Sequence, residues 1–144
     1  MCFIRGFFLS TISDSFHFFM PRQNILVVDD SPTERHFLSE LLSSQGYQVS
    51  TAENGEAALS CIRASLPHLI IMDVVMPGQN GFQTTREISR DPSTQHVPII
   101  ICSSKNQETD RIWGIRQGAR EFMIKPVDPH QLLKKIASLL GQAG

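Results

Sequence analysis

The chain has 144 residues, 41% hydrophobic and 19% charged, enough for one domain with a real core and unlike a disordered chain or a membrane bundle. Its net charge of −1 argues against a nucleic-acid binder that works by neutralising phosphates. The charge is uneven, with six Lys/Arg against ten Asp/Glu in residues 1–100 and seven against four in 101–144, a mildly basic final third usable for a protein partner. Cys2, Cys61 and Cys102 have no metal-ligand spacing and read as reduced thiols in a cytoplasmic protein.

Residues 1–19, MCFIRGFFLSTISDSFHFF, hold six of the nine phenylalanines without alternation or a helical stripe. Ser-Thr and Ser-Asp-Ser break the apolar run and no small-residue cleavage site follows, so it is expected to be neither a signal peptide nor a span, being too broken to cross a bilayer. Residues 1–20 are expected to be an extension outside the fold, disordered or preceding a true start at Met20, with residues 21–144 forming the domain. A membrane-touching or partner-binding tail is the lesser alternative.

From Asn24 onward, β-branched runs alternate with amphipathic stretches. NILVVDD reads as a strand. Ser31 then offers an N-cap, Pro32 a first-turn proline and Glu34 a capping-box partner. Phe37, Leu38, Leu41 and Leu42 make a helical stripe that Gly46 closes. YQVST is a second strand, and a second helix runs from Glu56 to Ala64. HLIIMD is a third strand, followed by the loop VVMPGQNG and a helix over Phe82 to Ser89. VPIIICSS is a fourth strand, with a helix over Asn106 to Gln117. EFMIK is a fifth strand, and Pro129 to Leu140 closes the chain as a helix.

Strands this rich in Ile and Val are expected to be buried on both faces, which requires helices on both sides of a parallel sheet. Five β-then-α units suit the doubly wound α/β, flavodoxin-like order 2-1-3-4-5, whose ligand site lies beyond the carboxyl ends of the strands. The residues arriving there are Asp29 and Asp30, Asp73, Ser103 with Ser104, and Lys125. Two unit charges about 4 Å apart repel by roughly 4 kcal/mol at an effective dielectric near 20. Three clustered carboxylates therefore call for a cation. Hard oxygen ligands around an open, hydrated site suit Mg²⁺. Asp29 and Asp30 would hold the metal, and Asp73 could share it and attack phosphorus. Lys125 and Ser103 would bind the phosphoryl oxygens.

The segments VVDD, LIIMDVVMPGQNG, IIICSSK and FMIKP closely resemble the receiver domain of two-component response regulators, from about Asn24 to Leu140. The resemblance implies that Asp29 and Asp30 are the acidic metal pair, Asp73 the phosphoacceptor and the Val75 carbonyl the third protein metal ligand. It also implies that Ser103 is the switch hydroxyl, Lys125 the phosphate-binding lysine, Phe122 the rotating aromatic and Lys125–Pro126 a cis peptide. The stretch ETDRIWGIRQGAR, Trp113-Gly114 above all, looks like the branch linked to type IV pilus twitching motility and chemotaxis-like pathways.

The expected function is a stand-alone cytoplasmic phosphorylation switch, with no enzymatic turnover beyond its own phosphorylation and dephosphorylation. A sensor histidine kinase would charge Asp73. A downstream protein would read the face formed by the fourth helix, fifth strand and fifth helix, without nucleic acid and without a membrane span. The rivals are a Mg²⁺-dependent phosphohydrolase with an aspartyl-phosphate intermediate, a flavodoxin-type flavin module and an unphosphorylated scaffold receiver. Val75 stands where the phosphohydrolase needs an acid/base aspartate, and no Ser/Thr/Gly-rich phosphate loop follows the first strand. Because Val75 cannot orient a hydrolytic water, the phosphorylated state is expected to be long-lived.

Overall fold

The computed structural model describes residues 3–5, 22–76 and 80–141. In chain order the elements are β1 (Phe3–Arg5), β2 (Asn24–Val28), α1 (Pro32–Ser44), β3 (Gln48–Ala52) and α2 (Gly55–Ala64). They continue with β4 (Leu69–Asp73), α3 (Gly81–Arg90), β5 (Ile99–Ser103), α4 (Glu108–Gln117), β6 (Glu121–Ile124) and α5 (Pro129–Leu139). The sheet order is β1-β3-β2-β4-β5-β6. Strands β2 to β6 pair in parallel, in the doubly wound order expected of five β-then-α units.

One strand was not expected. Phe3–Arg5 pairs antiparallel with β3, Ile4 opposite Ser50, and covers a sheet edge that would otherwise offer unpaired backbone groups. Three residues are too few to display a period, so the pattern carries no signal for this strand. The rest of the 1–20 extension lies outside the described residues.

Alternation along the strands divides the core in two. Ile25, Val27, Val49, Leu69, Ile71 and Ile100 face Leu38 and Leu42 of α1 and Leu132 and Ile136 of α5. Leu26, Val28, Ile70, Met72, Ile99 and Ile101 face Ala58 and Ile62 of α2, Phe82 and Ile88 of α3, and Ala119 just past α4. Strands β4 and β5 are buried at every position, as expected for central strands covered on both sides. Strand β6 is only partly buried, because it forms the opposite edge.

Local chemistry sets the helix ends. Ser31 Oγ accepts from Glu34 N at 3.3 Å at the start of α1. Asn80 and Gln83 form a reciprocal capping box on α3. Gly118 ends α4 at φ +118°, a left-handed conformation that suits glycine. Cys61, expected to be a free thiol, is disulfide-bonded, whereas Cys102 is free and buried. No helix among the described residues is long and apolar enough to cross a membrane.

Candidate functional site

Sheet geometry aims three charged side chains at one place. Val27, Ile71 and Met123 all face the α1/α5 side of the sheet. Two residues further along each strand, the same pleat presents Asp29, Asp73 and Lys125. The backbone ladder continues far enough to hold them. Asp29 N donates to Ala52 O at 3.1 Å, and Lys125 N donates to Ser103 O at 2.8 Å.

Asp29 and Asp73 are buried, 3% and 6% exposed, while Asp30 is exposed. Each of the three offers a carboxylate oxygen, and these oxygens lie within 4.8 Å of one another. Lys125 Nζ sits 2.9 Å from Asp29 Oδ2 and 3.3 Å from Asp73 Oδ1. The other Asp29 oxygen accepts from Ser31 N at 2.9 Å, and the Asp29 carbonyl accepts from Arg35 Nη1 at 2.7 Å. Sequence reading missed Arg35. It sits one turn into α1, and only the fold brings it back under the end of β2.

The charges perturb one another. Burial, then the neighbouring Asp29 carboxylate and more weakly Asp30, push the Asp73 carboxyl above its ordinary value, against the pull of Lys125. Burial opposes the charge on Lys125, but the hydrogen bond and attraction of Asp29, with Asp73 and Glu34 behind them, raise its pKa overall. Glu34 thus acts on the site electrostatically, and among the described residues no return bond from it to Ser31 is formed. Burial pushes the Cys102 thiol, the register partner of Asp73, up to about 12, which leaves it unreactive.

The other expected residues lie on β5, on β6 and in the loop after β4. Ser103 ends β5 fully buried, its Oγ accepting from Lys105 N at 3.0 Å. Val75 lies in the loop after β4 with its side chain 54% exposed. Residues 77–79 of that loop lie outside the described residues. Phe122 is half-buried against the core, opposite Ile101, and Gly114 of α4 leaves the room its ring occupies. The Lys125–Pro126 peptide is cis. Gly81 N donates to Val74 O at 2.9 Å, and a Cβ at Gly81 would run into the Asp73 carbonyl oxygen. The start of α3 is therefore pressed directly against the backbone of Asp73.

Three carboxylates against one ammonium leave an excess of negative charge in a partly buried cluster. An octahedral Mg²⁺ with oxygens at about 2.1 Å places neighbouring ligands about 3 Å apart. Oxygens already within 4.8 Å of one another reach that spacing with small side-chain shifts, so the residues present fit such an ion.

Residues 25–137 match the family model described as the response regulator receiver domain. The chain belongs to that family. It is 50% identical over 116 residues to Protein PilH of Pseudomonas aeruginosa, covering 81% of this chain and 96% of that protein. It is 39% identical over 115 residues to the response regulator PleD of Caulobacter vibrioides, of which it spans 25%. Among solved structures, a putative response regulator from Chloroflexus aurantiacus superposes with a TM-score of 0.81 at 30% identity, covering 85% of this chain and all of that one. The chemotaxis protein CheY4 of Vibrio cholerae superposes with a TM-score of 0.78 at 29% identity, covering 83% of this chain and 99% of that one. The protein is thus a signalling receiver of two-component type.

Proposed function

We propose that this receiver is a phosphorylation switch in which Asp73 accepts a phosphoryl group from the phosphohistidine of a sensor kinase in the cytoplasm. The observation that carries the reading is the convergence of Asp29, Asp30, Asp73 and Lys125 from three strand ends. An Asp73 oxygen forms the new bond to phosphorus while the phosphorus–nitrogen bond of the kinase histidine breaks, and the departing imidazole takes up a proton. Asp29 and Asp30, together with Asp73 and the Val75 carbonyl, would hold Mg²⁺. When bound, that ion supplies charge neutralisation for the incoming phosphoryl oxygens. In this reading Lys125, 3.3 Å from Asp73 Oδ1, binds one of those oxygens, and Ser103 donates a hydrogen bond to another once it has moved toward the new charge.

The output is a protein contact. Helix α4 buries only Gly114, while Ile112, Trp113 and Ile115 are 43%, 49% and 40% exposed. A helix so lightly anchored shifts at little cost when Ser103 and the half-buried Phe122 respond to new charge at Asp73. The α4–β6–α5 face, with Arg111, Arg116 and Arg120 on or beside α4, is the surface we assign to the downstream partner. The likeness to PilH and the Trp113-Gly114 stretch support a place in type IV pilus, chemotaxis-like control of twitching motility.

Intact-mass measurement after treatment with acetyl phosphate tests the reading. A single added phosphoryl group is expected with Mg²⁺, and none in Asp73→Asn or without the metal. An unmodified native chain under these conditions would leave the scaffold reading instead. Val75, aliphatic at the position where a phosphohydrolase needs an acid, weighs against turnover of free phosphate esters.

A further inference from the structure

The opposite end of the sheet holds a second feature with chemistry of its own. The C-terminal halves of α2 and α3 run toward the edge where the strands begin, and they part to leave an open cleft of about 1080 Å³. Its floor is apolar, formed by the buried Ile62 and Ile88, with Leu59 and Leu66 on one wall. Leu66 is 44% exposed. Arg63 stands on the α2 side, and Arg86 and Arg90 stand one helical turn apart on the α3 side.

None of these three arginines makes an ion pair among the described residues, unlike Arg111, Lys125 and Lys135. Among the described residues, the one side-chain hydrogen bond that any of them makes is a long one, 3.5 Å from Arg63 to Ser60 Oγ. Helix dipoles account for Arg63 and Arg90, which lie in last turns. They do not account for Arg86 in the interior of α3, nor for the apolar trough beneath it.

We propose that this cleft docks an acidic amphipathic helix of a protein partner. A trough flanked by two helices accepts a third whose apolar side chains recur at i, i+3, i+4 and i+7. Acids spaced i, i+4 on that helix meet Arg86 and Arg90, which have the same spacing. Among the described residues no aromatic side chain lines the cleft to stack a base, which disfavours a nucleotide. Asp91 is turned back on its own loop, accepting from Ser93 N at 2.9 Å and Ser93 Oγ at 2.8 Å. The site is separate from the acid cluster and does not depend on phosphorylation at Asp73.

The test is fluorescence anisotropy of a labelled synthetic peptide against the full chain. The peptide has about 18 residues, or five turns, with leucines on one face and glutamates spaced i, i+4 beside them. Saturable binding is expected, at least about tenfold weaker for R86E/R90E and weaker again as salt is raised. Leu66→Asp should weaken it as well, with Leu66→Ala as the gentler variant and circular dichroism as the check on folding. Equal binding by R86E/R90E, or by a scrambled peptide of the same composition, would overturn the proposal. So would absence of saturable binding. Displacement of the peptide by ATP, with no effect of Leu66→Asp, would reassign the cleft to a nucleotide and overturn it too. Asp73→Asn should bind the peptide as the native chain does, so failure here is distinguishable from failure of the phosphorylation reading.

Discussion

Lys125 Nζ spans Asp29 Oδ2 at 2.9 Å and Asp73 Oδ1 at 3.3 Å, one ammonium between two buried carboxylates. Lys125→Met removes the strongest influence holding the Asp73 pKa down. Asp73 should then keep its proton to higher pH, visible in a carboxyl carbon titration by NMR. Labelling by acetyl phosphate, followed by intact mass, should slow roughly a hundredfold or more, the usual cost of losing one donor to developing oxyanion charge.

Asp73 costs stability where it is charged. Its folded pKa lies above the ordinary 3.8, so the folded chain binds the proton more tightly than the unfolded chain. Stability therefore falls as pH rises from 3.8 through the raised folded value, and the full cost is present at neutral pH. Asp73→Asn should raise the neutral-pH Tm of the metal-free chain. The advantage should vanish below pH 3.8, where both side chains are neutral. Lys125 behaves oppositely, its raised pKa adding stability that is lost only as pH climbs above 10.5 through the folded value.

Gly81 and Gly46 separate backbone crowding from backbone strain. A Cβ at Gly81 meets the Asp73 carbonyl and the Val74 backbone, neither of which can swing aside. Gly81→Ala should cost about 1–3 kcal/mol in thermal unfolding and slow labelling at Asp73 as well. Gly46 has φ +92° with nothing within 4 Å of its Cβ position. Gly46→Ala should cost about 1 kcal/mol through strain alone and leave labelling unchanged.

The lifetime of the phosphorylated state follows from two positions. Val75, two residues past Asp73, is exposed and aliphatic, so it cannot orient an attacking water. Lys105, two residues past Ser103, binds Ser103 Oγ through its backbone N–H and keeps its exposed side chain free to approach a phosphoryl group. A phosphate-release assay should show an acyl phosphate that persists well beyond seconds. Val75→Glu, which supplies a base there, should shorten its life roughly tenfold or more.

Much of the fold was legible because its signals are local. The runs ILVV, LIIM and IIIC carry burial on both faces in their own composition. Alternation then dictates that Asp29, Asp73 and Lys125 leave the sheet on one side. Ser31 acts at the start of α1 through a bond within three residues.

Tertiary structure alone decided the rest, because it depends on which element lies beside which. Pattern cannot say that Phe3–Arg5 extends the β3 edge, or that Arg35 reaches back to Asp29. Nor can it tell Ile62 and Ile88, on a cleft floor, from other core isoleucines. What composition and spacing determined is which charged groups the strands must carry to one rim. Their separations, their altered proton affinities and the parting of α2 from α3 arise only when distant segments pack, since Coulomb energy and desolvation depend on distance in space and not along the chain.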